Sequence, residues 1–373
     1  MASDLIHLSG QMHKKLPTKA ATRSKNKHRC CALRAVSVFV IIIKMQFQLM
    51  RFGNRRTMNG QWQVYNASEI SSRFWNQSQK GTEESLREST FIDDIIQKSH
   101  IERCIHENLS SVQTVFDGGA GSGRFSIMLA KAGINVTHFD ISLSMIDEAR
   151  RQAENQRVID KITFIHGKLE DLSAYANRQF DMVLSIDAPI SYTYPNQYDV
   201  IKNLIQIANK KIVISVASNL GWIPYMFNPA QKAQYILNKD SDDSFVKWTL
   251  NEAVKKVSSF KPDMEYINKV YKSHMMTQLE DMLDAHQNGE TQWPHTYAFM
   301  PDELKKVMET HGAKNIKLSG PGALSRSIPN EILKNIMLDD VLRKDFLSFC
   351  YEYDSNASCA GMGKDNLVAS ADV

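Results

Sequence analysis

Short apolar runs and longer amphipathic stretches alternate along residues 110–216. Runs near 112–117, 134–140, 161–166, 180–186 and 211–216 have strand length and are rich in Val, Ile and Phe. Between them, 122–132, Ser142 to about 155, and Tyr198–Asn209 read as helices, and Gly133 and Gly167 punctuate the pattern. Strands alternating with helices predict an α/β, doubly wound, mostly parallel sheet. Upstream, 71–76 and 83–108 read as helices. Downstream, the alternation stops for about 80 residues. Residues 220–300 interleave charges with Trp222, Tyr225, Phe227, Tyr235, Trp248, Tyr266, Tyr271 and Trp293. A structureless loop that long is uncommon, so a helical cap inserted after the fifth strand is expected. A helix opened by Pro301, a strand at 315–318, a helix at 331–351 and a closing strand at 366–371 complete seven strands. The expected organisation is an extension at 1–57, N-terminal helices at 58–110, a ligand-binding core at 111–219, the cap at 220–300, and the rest of the core at 301–373.

Charge separates the extension from the body. Residues 1–57 hold twelve Lys/Arg and one acid, Asp4, whereas the remainder holds 33 Lys/Arg against 40 Asp/Glu. The net +4 of the chain therefore belongs to its N-terminal part, and the acidic body lacks the footprint of a nucleic-acid binder. Ala35–Ile43 is too short an apolar run to cross a bilayer, so no stable membrane insertion is expected. The extension reads as a disordered or artefactual leader before Met58, as an organellar transit peptide, or as a weak membrane-surface anchor. Cys30, Cys31, Cys104, Cys350 and Cys359 form no C-x-x-C pair, so no metal site is expected. A reducing, cytoplasmic setting is the default, with an organelle as the alternative. The sequence leaves the oligomeric state open.

Candidate chemistry begins at Asp117-Gly-Gly-Ala-Gly-Ser-Gly123. A strand that passes through a glycine loop into a helix is a nucleotide-binding turn. Gly119, Gly121 and Gly123 let a ligand approach the backbone where a Cβ would block it. Asp140 ends the next strand, where a carboxylate accepts hydrogen bonds from ribose hydroxyls or caps the following helix. A dinucleotide fingerprint needs a third glycine where this chain has Arg124, which disfavours a nicotinamide dehydrogenase.

These residues, with Asp140-Ile-Ser-Leu-Ser-Met145 and Phe180-Asp-Met-Val-Leu-Ser-Ile-Asp187, resemble the class I S-adenosylmethionine-dependent methyltransferases over roughly residues 110–216. The resemblance implies a Rossmann-like sheet with S-adenosyl-L-methionine at its carboxyl edge, covered by the N-terminal helices of 58–110. It implies Asp117 and the glycine loop at the methionine part, Asp140 at the ribose, and Ile141, Met145, Leu169 and Glu170 around the adenine. Ser185 and Asp187 end the fourth strand, with Asp187 facing the transferring methyl as a site that binds an acceptor amine or takes its proton. A strand-end carboxylate that only caps the next helix is the plainer reading of Asp187. Ile186-Asp-Ala-Pro-Ile-Ser-Tyr192 departs from the Asn/Asp-Pro-Pro-aromatic motif of enzymes that methylate nucleic-acid amines. By the same resemblance, that departure and the cap imply a small-molecule acceptor, met by Tyr192, Trp222 and Tyr297. His295 is the candidate general base opposite Asp187. An RNA or protein methyltransferase, and a non-catalytic cofactor-binding subunit, are the alternatives.

Overall fold

A computed structural model describes residues 54–56, 62–64, 67–77, 80–175, 180–227, 237, 260–276 and 293–373. The chain divides into two compact units, 1–65 and 66–373. In the first, β1 (Asn54–Arg56) pairs antiparallel with β2 (Trp62–Val64), setting Arg55 opposite Gln63. The boundary expected between 57 and 58 falls inside this hairpin. The rest of the extension lies outside the described residues.

The second unit opens with α1 (Ala67–Trp75), α2 (Lys80–Thr90) and α3 (Ile92–Glu107). The single helix expected at 83–108 is thus broken at Phe91, whose extended backbone starts α3 with Asp93 and Asp94 in its first turn. Then follow β3 (Thr114–Gly118), α4 (Arg124–Lys131), β4 (Asn135–Asp140), α5 (Leu143–Asn155), β5 (Ile162–His166), β6 (Phe180–Ser185), α6 (Gln197–Ile207) and β7 (Ala208–Ala217). Next come α7 (Asn219–Phe227), α8 (Met264–Ser273), α9 (Pro301–Thr310), β8 (Lys314–Ser319), α10 (Asn330–Leu338), α11 (Asp340–Asp354) and β9 (Asn366–Asp372). The helix expected at 331–351 is two helices. Asp339 ends the first and caps the second by accepting from the N–H groups of Val341 and Leu342.

Seven strands form one sheet in the order β5-β4-β3-β6-β7-β9-β8. The first five pair in parallel, and β9 runs antiparallel between β7 and β8. The central strands carry short continuous apolar runs, Val115–Phe116, Met182–Leu184 and Ile212–Ile214, because helices cover both faces. Successive residues feed opposite cores. Phe116, Val183, Ile212 and Ile214 join α6 and α9 on one side, while Val115, Met182, Leu184 and Val213 join α3, α4 and α5 on the other. A smaller cluster of Ile92, Ile96, Leu333, Met337 and Cys350 seats α10 and α11 on α3.

Of the cap expected over 220–300, α7 and α8 are described, and 228–236, 238–259 and 277–292 lie outside the described residues. The chain leaves at the end of β7 and returns there, through bridges from Met275 to Tyr297 and from Ser218 to Phe299.

Candidate functional site

A cavity lies beyond the carboxyl ends of β3, β4 and β6, the place where open α/β sheets bind ligands. It encloses about 1110 Å³ counting its open mouth. Its floor is the glycine loop, Asp140, Ile141, Met145, Leu169 and Glu170. Its far wall is Ile186, Asp187, Pro189, Tyr192 and Thr193, and its roof is Ser71, Trp75, Glu84, Asp94 and Lys98 from α1, α2 and α3. The roof is tied to the floor, since Ser142 Oγ donates to the Trp75 carbonyl at 2.8 Å and Leu143 N–H donates to Asn76 Oδ1 at 2.7 Å.

The glycine loop is held by its own amides. The N–H groups of Gly119 and Ala120 donate to the Phe139 carbonyl at 2.7 and 3.2 Å, and Gly123 N–H donates to the Ala120 carbonyl at 3.1 Å. Gly121 N–H donates to Asp140 Oδ2 at 2.8 Å. A loop that cradles phosphates aims its N–H groups at the ligand. Here these four are spent inside the protein, which fits a ligand without a pyrophosphate. Each glycine has its own reason. A Cβ on Gly119 would lie 2.3 Å from Pro189, and one on Gly123 would lie 2.7 Å from the Cβ of Ala149 in α5. Gly121 has a φ of +57°, and nothing lies within 4 Å of where its Cβ would stand. Its bare face borders the cavity.

Two buried carboxylates flank the loop. Asp140 accepts from Gly121 N–H on one oxygen and from Ser142 N–H, at 2.8 Å, on the other. Burial nevertheless pushes its carboxyl up to about 6. Asp117 accepts from Ser126 Oγ at 2.7 Å, and that hydroxyl also meets His138 Nδ1 at 3.0 Å. Burial, reinforced by the neighbouring Asp140 charge, raises Asp117 to about 7. Burial lowers His138 to about 3, so it is neutral beneath the loop.

The far wall is built differently. Asp187 and Ala188 both adopt left-handed backbone, with φ of 70° and 64°. This turns the chain sharply off β6, and Ser215 Oγ accepts from Asp187 N–H at 2.8 Å. The Asp187 carboxylate forms an ion pair with Lys98 of α3, whose side chain is 7% exposed against 42% for Asp187. Ser191 fixes the next turn, accepting from Ala217 N–H on its hydroxyl and from Tyr297 N–H on its carbonyl.

The cavity thus brings together Asp117, Gly119, Gly121, Asp140, Ile141, Met145, Leu169, Glu170, Asp187 and Tyr192. Five residues expected at the site do not line it. Gly123 packs against α5. Ser185 is fully buried in β6. Trp222 lies beside Tyr225, with ring centroids 5.6 Å apart. Tyr297 is buried and donates to Glu303 at 2.6 Å, stacked on Tyr194. His295 is 2% exposed and meets Tyr194 edge-on, at 5.0 Å between centroids. The returning chain turns His295 into the protein, so it does not face Asp187 across the cavity as expected. The residue of that segment nearest the roof is Trp293, which packs on Phe74, Trp75 and Tyr192 at 5.4, 5.6 and 6.4 Å. Sequence reasoning missed Ser71, Trp75, Glu84, Asp94 and Lys98. Among the described residues, no group of His, Cys, Asp or Glu is placed to hold a metal ion, and no helix is long and apolar enough to cross a membrane.

Residues 115–211 match the family model described as a methyltransferase domain. This part of the chain is a class I methyltransferase domain. Magnesium protoporphyrin IX methyltransferase of Arabidopsis thaliana is 34% identical over 105 residues, 28% of this chain and 32% of the relative. The tRNA 5-carboxymethoxyuridine methyltransferase of Escherichia coli K12 is 29% identical over 119 residues, 32% of this chain and 43% of the relative. The chain thus spans less than half the length of these curated relatives. Among solved structures, the plantazolicin methyltransferase BamL is 14% identical with a TM-score of 0.43, over 82% of this chain and 95% of that one.

The cavity fits S-adenosyl-L-methionine, the cofactor of this family. Asp140 would meet it with a carboxylate whose two oxygens each take one N–H and retain capacity for further donors such as ribose hydroxyls. Asp117 would offer an acceptor to an ammonium group, and Gly121 leaves a face that a Cβ would fill.

Proposed function

We propose that the protein methylates a small-molecule acceptor with S-adenosyl-L-methionine. One observation carries the reading. The glycine loop with Asp140 and the Asp187–Tyr192 turn open onto one cavity under a shared roof, which supports a cofactor and an acceptor meeting there. The bound cofactor supplies an electrophilic methyl group on a sulfonium, which an acceptor lone pair takes as the carbon–sulfur pair returns to sulfur. The protein's part is placement and exclusion of water. Asp117, Gly121 and Asp140 bind and orient one partner, and Trp75 and Tyr192 wall in the other. Asp187, held by Lys98, stands at the end of β6 where a proton leaving the acceptor is accepted or passed to water. A tRNA acceptor is the second reading, favoured by the name of the Escherichia coli relative. The acids that line the cavity oppose a polyanion there.

The test is calorimetry of the full chain with S-adenosylmethionine and with NAD, followed by incubation of a metabolite extract with methyl-labelled S-adenosylmethionine. Binding of S-adenosylmethionine but not NAD, with label in a small product, is the expected outcome. Tight binding of NAD alone would restore the dehydrogenase, and label found only in RNA would establish the second reading.

A further inference from the structure

One end of the cavity is walled by rings. Trp75 of α1 and Tyr192 of the turn after β6 both line it, with centroids 5.6 Å apart and planes at 61°. Phe74 and Trp293 extend the cluster. Trp293 packs on Trp75 at 5.6 Å and on Tyr192 at 6.4 Å, and Phe74 meets Trp75 at 4.9 Å. Three segments far apart in the chain thus deliver four rings to one place. Phe74 is buried, whereas Trp75 and Tyr192 stay partly exposed. The rest of the far wall adds Ile186 and Pro189, and its charged residue, Asp187, pairs with Lys98.

A wall that needed only apolar bulk would be served by Leu or Ile. Rings differ in being negative over the face and positive at the edge. They favour other rings in edge-on or offset contact, at about 4.5–7 Å between centroids. Two rings inclined at 61° offer both contacts to a third, because a ring lying flat on one turns its edge toward the other. A saturated ring of the same size covers the same area without that match. The cofactor reading would seat the adenine elsewhere, on the floor with Ile141, Met145, Leu169 and Glu170. Trp75 meets that side through its carbonyl, which accepts from Ser142 Oγ at 2.8 Å, while its ring reaches Tyr192 on the far wall.

Resting on the methyltransferase reading, we propose that the acceptor presents a planar aromatic or heteroaromatic ring, packed against Trp75 and Tyr192. This names the chemical class of the acceptor and leaves its charge and the methylated atom open.

The test compares rings that differ only in planarity. The full chain is first shown by calorimetry to bind S-adenosylhomocysteine. Benzyl alcohol and cyclohexylmethanol are then titrated into the S-adenosylhomocysteine-loaded protein by ligand-observed NMR. Both are neutral and carry the same hydroxyl, and the saturated one is the more hydrophobic, so a merely apolar wall prefers it. Benzyl alcohol should bind about threefold to tenfold more tightly, the scale of an aromatic pair beyond its buried area. Tyr192→Leu, which keeps the wall apolar, should erase that preference, with Trp75→Leu as the second variant should the first not fold. In parallel, a metabolite extract is incubated with methyl-labelled S-adenosylmethionine, and labelled products are read by mass and ultraviolet absorbance. Label in products with a conjugated ring is expected.

An equal or reversed ranking of the two probes overturns the proposal, as does a preference that survives the loss of the ring. Label confined to saturated acceptors overturns it too. A tenfold or greater loss of S-adenosylhomocysteine affinity in Tyr192→Leu would assign the rings to the cofactor and overturn it. If neither probe binds, the labelled products decide, and binding of S-adenosylhomocysteine with neither probe bound nor product labelled counts against it while leaving the cofactor assignment standing. Label in RNA alone removes the small-molecule reading, and failure to bind S-adenosylhomocysteine removes the methyltransferase reading itself.

Discussion

The two sides of the cavity are built on opposite plans. On the β3–β4 side, the ligand surface is mostly backbone, and Gly119, Ala120, Gly121 and Asp140 lock one another through short-range hydrogen bonds. Its charged groups are buried and its geometry is set by a contiguous stretch of chain. On the β6 side, the surface is made of side chains from distant segments, namely Trp75 on α1, Lys98 on α3, and Asp187 and Tyr192 after β6. The first side suits recognition through fixed backbone geometry and the second recognition through side-chain charge and shape. The contrast teaches that a substitution on the first side acts through backbone space, whereas one on the second acts through charge and shape.

The largest effect is expected where the backbone is barest. Gly121→Asn puts a side chain that tolerates the φ of +57° into space that nothing in the protein fills, so the fold should survive while the cofactor is shut out. Calorimetry should show a loss of at least about 100-fold, ~2.7 kcal/mol. Unaltered affinity would mean that the glycine loop is only a turn.

Asp140→Ala comes next. It removes the proposed ribose contact together with an acceptor for Gly121 and Ser142 N–H. A weakening of about 1.5–3 kcal/mol is expected, the scale of hydrogen bonds to a charged group. Wild-type affinity would make Asp140 a helix cap and nothing more.

Acidity should separate the two sides without any mutation. Burial raises Asp140 to about 6 and Asp117 to about 7, above the usual carboxylate range. The folded, ligand-free protein therefore holds protons that the unfolded chain has released between about pH 4 and 7. The contribution of these two carboxyls to stability is greatest at the acid end of that window and falls as pH rises through 6 and 7, while the buried neutral His100 and His138 contribute in the opposite sense as pH rises toward 6.5. Cofactor donors favour the charged carboxylates, so affinity should move the other way, strengthening from pH 5.5 to 8. Titrations across that range test the sign, and Asp140→Asn should flatten the profile. An affinity that does not change with pH would show that neither carboxyl meets the ligand.

The smallest effects are expected on the β6 side. Asp187→Asn takes the counter-ion from a buried ammonium, while Lys98→Met releases a carboxylate that already faces water. The first should lower stability by about 1–2 kcal/mol, discounted from the usual cost of a broken buried pair because one partner is exposed, and the second by less. Both should slow turnover and leave S-adenosylhomocysteine affinity within about twofold, well under the 1.4 kcal/mol of a tenfold change. Denaturant melts and calorimetry on both variants decide this. Equal losses would mean that Lys98 and Asp187 do not act as the pair described.

Legibility in the sequence follows the same division. Strand and helix periodicity placed all seven strands of the main sheet, and the motif from Asp117 to Asp140 located the floor, because both are local patterns. What the sequence did not reveal depends on contact between distant residues. Nothing near Lys98 marks it as the partner of Asp187, and Glu84 and Asp94 look like ordinary acids on helix surfaces. His295 looked well placed because it re-enters near the sheet, but the returning segment buries it against Tyr194, and its Trp293 packs on Phe74, Trp75 and Tyr192. The break at Asp339 was legible in principle, since an aspartate followed by a fresh apolar run is an N-cap signal. The break at Phe91 had a weaker sign, the paired acids that follow it.

The three loop glycines carry a consequence for how the protein tolerates variation. In a mutant library selected only for soluble expression, positions 119 and 123 should reject nearly every replacement, because Pro189 and Ala149 stand where a side chain would go. Position 121 should accept Asn or Asp in that selection, as residues at ease with a positive φ. It should close to them only when survival demands the ligand. Two of the glycines are therefore kept by the architecture and one by the chemistry, and a pair of selections would tell them apart without a structure.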